Sequence, residues 1–125
     1  MTVLATGVDL IEVERIQLTI ARYGERFLQR VFTAGELLEV GGNPASLAGR
    51  FAAKEAVAKA LGTGIGPVAW REIEILRGPA REPVLHLHGE AKRLADEQNL
   101  ITWSVSLSHV QSMAIALAVA LGDSA

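Results

Sequence analysis

A chain of 125 residues with a formal charge of −2 and a pI near 5.9 has room for one hydrophobic core and lacks the basic footprint of a dedicated nucleic-acid binder. Half of its residues are hydrophobic, only 5% are aromatic, and none is cysteine. Leu, Val, Ile and Ala must therefore build the core, and disulfides, thiolate catalysis and cysteine metal sites are excluded. A mean hydropathy of +0.27 is high for so small a domain and points to apolar surface covered in an oligomer.

The first eight residues lack the basic flank of a signal peptide, and Asp9 interrupts their apolar run. Met113 to Leu121 is too short to span a bilayer. The expectation is a single domain over 1–125, cytoplasmic, with neither nucleic acid nor membrane as partner.

Val3 to Val8 is expected as a short strand delivering Asp9 at its end. Ile11, Val13, Ile16, Leu18 and Ile20 set a helical period from Leu10 to Tyr23, closed by Gly24. A helical turn over Glu25 to Val31 follows, then a helix from Ala34 to Val40 capped by Thr33. Gly41-Gly42-Asn43-Pro44 breaks the chain. Ser46 then caps a long helix, Leu47 to Leu61, with Gly62 at its end. Trp70 to Leu76 and Pro83 to His88 form a hairpin, Glu90 to Gln98 a helix, and Thr102 to Leu107 a strand with Trp103, Val105 and Leu107 inward. Met113 to Leu121 is expected as a buried last strand, although its alanines also permit a helix. The order implies an α+β domain with a largely antiparallel sheet packed on the long central helix.

Several charged residues fit two uses each. Asp9 can cap the helix expected after it, or be a buried carboxylate kept for a ligand. Glu55 and Lys59 share a helix face one turn apart. They form either an exposed pair worth about 0.3–0.5 kcal/mol or an acid and a base serving one ligand. Ala52, Ala53, Ala56 and Ala60 leave this helix slim, so something must approach it closely. If the fold joins them, Asp9 and Glu55 supply the one or two carboxylates that Mg²⁺ takes from a protein, leaving its other positions to water and phosphate. Lys59 can neutralise charge on a leaving phosphate. Arg50 and Lys54, also one turn apart, can grip a further phosphate or form a solvated stripe.

Gly62-Thr63-Gly64-Ile65-Gly66 is no phosphate loop, because it follows a helix and meets the negative end of its dipole. Gly62 ends the helix; Gly64 and Gly66 leave room for a ligand to approach the backbone. His86 and His88 share a strand face without a third metal ligand and are expected at the surface. His109, following Ser106-Leu107-Ser108, is either a phosphate or proton-transfer residue or a solvated turn residue. Arg15 and Arg22 share a helix face, with Arg26 and Arg30 beyond, and face either an acidic partner or water.

Three blocks resemble the holo-acyl-carrier-protein synthase family, the small bacterial class of 4′-phosphopantetheinyl transferases. They are Gly7-Val8-Asp9-Leu10-Ile11-Glu12-Val13-Glu14-Arg15-Ile16, then Phe51-Ala52-Ala53-Lys54-Glu55-Ala56-Val57-Ala58-Lys59-Ala60 with its glycine turn, and finally Ser106-Leu107-Ser108-His109. The resemblance implies a phosphopantetheinyl transferase fold, commonly a homotrimer with active sites between subunits. It implies Mg²⁺ on Asp9 and Glu55, with Asp9, Glu55 and Lys59 as the catalytic set. Coenzyme A would meet Arg50, Lys59, Gly62, Gly64, Ser108 and His109, the 3′-phosphate lying near Arg50 and His109. Apo acyl carrier protein would meet Arg15, Arg22 and Arg26. The implied reaction moves the phosphopantetheine arm from coenzyme A to a carrier serine and releases adenosine 3′,5′-bisphosphate, in support of fatty acid biosynthesis.

Two departures stand out. Val110 occupies the place of the family's acidic or hydroxyl residue, which shifts serine activation to a metal-bound water or Glu55. Residues 38–49 contain no lysine or arginine, so that loop offers no basic phosphate contact. Mg²⁺-dependent phosphoester hydrolysis and a trimeric nucleotide- or carrier-binding module are the competing readings of the same residues.

Overall fold

The structure is a computed structural model that describes residues 1–124. Strand β1 (Thr2–Glu12) runs into helix α1 (Val13–Tyr23); α2 (Glu25–Val31), α3 (Ala34–Val40) and the long α4 (Pro44–Ala60) follow. A single 3-10 turn at Trp70–Glu72 leads into β2 (Ile73–Arg77) and β3 (Pro83–Leu87). The chain then forms α5 (Gly89–Glu97), β4 (Leu100–His109) and β5 (Met113–Asp123). The architecture is α+β: a three-stranded sheet of order β1-β5-β4 and a two-stranded β2-β3 hairpin, both antiparallel.

The helix expected from Leu10 starts only at Val13. β1 pairs residue for residue with β5, from Thr2 opposite Asp123 to Glu12 opposite Met113, and this ladder overrides the helical spacing of residues 10–12. Asp9 thus lies within a strand and caps no helix. Thr33 does cap α3, in a reciprocal capping box with Glu36. The cap of α4 is Asn43, whose side chain accepts from Ser46 N at 3.1 Å. Pro44 at the first helical position has no N–H to orphan. The strand expected from Trp70 begins at Ile73, after the 3-10 turn.

Helix α4 is the centre of the core: Leu47, Ala48, Ala52, Ala53, Ala56, Val57 and Ala58 are fully buried. It lies against β1 and β5, and β5 faces it with Ala114, Ala116, Ala118 and Ala120, each at most 1% exposed. The slimness of α4 therefore has a packing cause, since the sheet itself approaches closely. The tightest point is Gly7, where a Cβ would overlap the carbonyl oxygen of Ala56.

The other face of the three-stranded sheet is open. Leu4, Val8 and Leu10 are 52–65% exposed, and their cross-strand partners Leu121, Leu117 and Ile115 are 41–44% exposed. Among the described residues no helix is long and apolar enough to cross a membrane.

Candidate active site

Alternation along β1 turns Val3, Ala5, Gly7, Asp9 and Ile11 toward α4 and leaves Leu4, Thr6, Val8 and Leu10 outside. Because Gly7 lets the two backbones touch, Asp9, two residues on, is delivered to the last turns of α4. The Lys59 ammonium donates to Asp9 Oδ1 at 3.1 Å and to the Val8 carbonyl at 3.0 Å. The Asp9 side chain is 19% exposed and that of Lys59 49%. An ammonium has three N–H donors, so one remains for an incoming group.

Glu55 completes the cluster. Its carboxyl holds its proton more tightly than an ordinary glutamate, first because of burial and then because of the negative charge of Asp9; Lys59 opposes this. It makes no side-chain hydrogen bond among the described residues. Of the two uses that spacing allows Glu55 and Lys59, the exposed ion pair does not form, and Lys59 takes Asp9 instead. Two carboxylates sharing a single lysine leave an excess of negative charge beside a half-open surface. Among the described residues no group of three or more His, Cys, Asp or Glu is placed to hold a metal ion.

One and a half turns back on α4 the charges behave differently. Lys54 is wholly buried and cannot reach a phosphate, contrary to the possibility its spacing raised. Its ammonium donates to Glu36 Oε1 at 2.7 Å, the Ile73 carbonyl at 2.5 Å and the Trp70 carbonyl at 3.1 Å. That uses all three donors, and burial lowers its affinity for a proton even against the pull of Glu36. Arg50, 7% exposed, donates from Nε to the Ile75 carbonyl at 3.0 Å and from Nη2 to Glu39 Oε1 at 2.8 Å. The rest of its guanidinium faces a cavity of about 260 Å³ whose lining includes Gly49, Arg77, Arg81, Leu107 and His109.

The cavity has both Arg50 and His109 in its lining. Ser108 stays apart: on β4 it alternates with Leu107 and His109 and belongs to the open outer face, opposite Ile115. Arg50 and Lys59 stand nine residues apart on α4, about 13.5 Å at 1.5 Å per residue. The cavity and the acid cluster thus lie along one helix. Gly62, Gly64 and Gly66 all adopt positive φ (87°, 66° and 138°), so backbone geometry accounts for all three. The space beside each is open.

A third feature lies between α1, α2 and α4. Phe51 stacks on Trp70 with ring centres 4.6 Å apart, and Phe27 abuts Phe51 and Phe32. These aromatics floor a groove rimmed by Arg15, Thr19, Arg26 and Arg30. Arg22 lies 5.3 Å from the Tyr23 ring centre. None of Arg15, Arg22, Arg26 and Arg30 is in an ion pair among the described residues. Sequence reasoning does not reach Arg77, Arg81 or Glu39; an arginine on either side of the Gly78-Pro79-Ala80 turn is the visible signal for the first two.

Comparison with known proteins decides the family. The profile of the 4′-phosphopantetheinyl transferase superfamily matches residues 5–119. The chain belongs to that superfamily. It is 48% identical over 126 residues to the holo-[acyl-carrier-protein] synthase of Herpetosiphon aurantiacus, covering 95% of this chain and 99% of the relative. The Helicobacter pylori holo-[acyl-carrier-protein] synthase, solved in complex with coenzyme A, superimposes with a TM-score of 0.85 at 34% identity, covering 92% of this chain and 98% of that one. The Bacillus anthracis synthase, solved with coenzyme A (3′,5′-ADP), gives a TM-score of 0.80 at 30% identity, covering 98% of this chain and all of that one. The α+β architecture and the identification as an enzyme of this transferase family therefore stand together.

Proposed function

We propose that the chain, acting over 1–125 as one phosphopantetheinyl transferase domain, carries out Mg²⁺-dependent transfer of 4′-phosphopantetheine from coenzyme A to a serine of apo acyl carrier protein. The products are holo carrier protein and adenosine 3′,5′-bisphosphate, and the reaction serves fatty acid biosynthesis in the cytoplasm. The observation that carries this reading is the Asp9–Glu55–Lys59 cluster at the end of the helix that bears Arg50.

The residues present fit Mg²⁺. Two carboxylates are close enough for Asp9 to tighten the hold of Glu55 on its proton, and one shared lysine does not balance them. Hard oxygen donors and surplus negative charge beside an open surface suit a cation that completes its shell with water and phosphate. When bound there, Mg²⁺ supplies charge neutralisation for a pyrophosphate.

The chain's own groups divide the remaining work. Arg50 and His109 hold the 3′-phosphate end of coenzyme A in the cavity. Lys59, fixed by Asp9 and Val8, aims its free N–H at the phosphate that departs. The carrier serine oxygen attacks the β-phosphorus as the bond from that phosphorus to the oxygen bridging to the α-phosphate breaks. The serine proton is lost to a neighbouring base, and the displaced oxygen leaves on adenosine 3′,5′-bisphosphate. Arg15, Arg22 and Arg26 receive acidic side chains of the carrier, with the aromatic groove beside them. Gly62 and Gly64 keep the turn after Lys59 open to coenzyme A.

The open apolar face of the three-stranded sheet supports a homotrimer, since contiguous exposed apolar surface of this kind marks an interface. Ser108 lies on that face and would meet coenzyme A at a site shared between subunits. Sedimentation of Leu117→Glu should then show monomer where the native chain shows trimer; a trimer that persists in the variant counts against this interface.

The reading is tested by incubating the protein with apo carrier protein, coenzyme A and Mg²⁺ and weighing the carrier. A gain equal to phosphopantetheine supports transfer. Breakdown of coenzyme A without gain points to hydrolysis, and intact reagents to a binding module.

A further inference from the structure

The cavity lined by Arg50 and His109 has two further arginines, both from the β2–β3 hairpin. We infer that Arg77 and Arg81 are specificity residues that select coenzyme A by its 3′-phosphate over the 3′-dephospho form, an inference that rests on the transferase reading above.

Charge around the cavity is unbalanced. Three arginines line it, and the one carboxylate held between them is Glu39. Both Glu39 oxygens are committed, one to Arg50 Nη2 and the Arg77 backbone N–H and the other to that same N–H at 3.2 Å; Arg77 Nη1 meanwhile donates to the Glu39 carbonyl at 3.1 Å. Of the other nearby acids, Glu36 also acts on Arg50 but is paired with Lys54 at 2.7 Å, and Glu82 is turned to the hairpin's own backbone, accepting from Ala80 N at 3.1 Å. Positive charge is left over, and a phosphate dianion is its natural complement. The state of Arg50 agrees. Burial lowers its affinity for a proton, Glu39 and then Glu36 restore part of it, and Arg77 acts with burial to depress it.

The hairpin is also shaped around this feature. Arg81 adopts φ 64°, a left-handed conformation costing about 1–2 kcal/mol for a residue with a Cβ. Its side chain makes no hydrogen bond or ion pair among the described residues, so no internal contact explains why an arginine occupies a position suited to glycine. Strain kept without an internal partner points outward, to a ligand. With no lysine or arginine in residues 38–49, the hairpin is the cavity's remaining source of positive charge.

The test is calorimetric titration at fixed ionic strength with adenosine 3′,5′-bisphosphate and, separately, adenosine 5′-monophosphate. The native chain should prefer the bisphosphate. Arg81→Gly and Arg77→Met should each reduce that preference about five- to tenfold, chiefly by weakening the bisphosphate. Arg81→Gly suits the left-handed backbone and should melt no lower than the native chain, so it decides the matter alone if Arg77→Met does not fold. A preference unchanged in Arg81→Gly, or an equal loss for both nucleotides, overturns the inference. Carrier modification by the native protein, measured on the same preparation, reports separately on the transferase reading. If that fails while the preference responds to Arg81→Gly, the anion subsite stands and the reaction assigned to it does not.

Discussion

Helix α4 carries two kinds of charge, and the contrast between them separates fold from function. Lys54 spends every N–H on protein acceptors and is shut away from water. Lys59, five residues on, is half exposed, and among the described residues it has two protein acceptors and keeps one N–H free. Glu36, the partner of Lys54, accepts from Thr33 N, Ile75 N and Lys54 Nζ, whereas Glu55 makes no side-chain hydrogen bond among the described residues. Charges that the protein satisfies fully hold the fold together. Charges left short of partners at a surface mark where a ligand completes the structure. Arg50 lies between these extremes, anchored by Glu39 and Ile75 and still facing the cavity.

If the contrast is sound, each kind of charge should fail differently. The largest effect is expected from Lys54→Met, which leaves Glu36 buried and unpaired and should cost about 3–5 kcal/mol of stability in urea unfolding. A loss below about 1 kcal/mol would show that the buried pair is not structural. Asp9→Asn should instead lower kcat/KM for carrier modification on the order of 10³-fold, about 4 kcal/mol of transition-state stabilisation. Its melting curve should stay close to the native one. Next comes Lys59→Met, expected to reduce kcat about 10²-fold with little change in KM. A rise in KM alone would make Lys59 a binding residue with no special role in the transition state.

The smallest effect has the opposite sign. The folded state raises the pKa of Glu55, so both states are protonated well below its ordinary value of 4.5. As pH rises the unfolded chain releases its proton first, and stability falls until the folded carboxyl ionises too. Glu55→Gln should therefore melt slightly higher than the native chain at pH 7, by about 1–2 °C once screening at this partly exposed position is allowed for. The gain should vanish near pH 3. Thermal scans at the two pH values check this; a lower melting point for the variant at pH 7 would mean that Glu55 supports the fold.

These contrasts also show what could be read from the residues. The order of elements and the Thr33 cap are legible because capping and patterning are local; the final strand is legible as a strand but not in its burial, since Ile115, Leu117 and Leu121 lie on an exposed face. The sequence places the start of the first helix three residues early because Ile11 and Val13 suit both periods, and only pairing with β5 decides between them. Lys54 and Lys59 look alike in sequence: both are lysines on one helix, adjacent in the same motif. Their different burial is set by α3 and the turn at Trp70, which are distant in the chain. Arg77 and Arg81 were hidden for the same reason, since nothing local reveals that a hairpin leans over Arg50. Carboxylate chemistry alone suggests pairing Asp9 with Glu55, but nothing local shows that they meet; the close approach at Gly7, where a strand touches a helix, brings that about.

The most direct test of the central claim is calorimetric titration of Mg²⁺ into the protein loaded with coenzyme A, comparing the native chain with Glu55→Gln. One Mg²⁺ site per chain in the native protein, lost in a variant that melts at least as high at pH 7, is the predicted result. Equal Mg²⁺ binding by both would contradict the assignment of Glu55, and with it the claim that half-satisfied charge on α4 marks the active site.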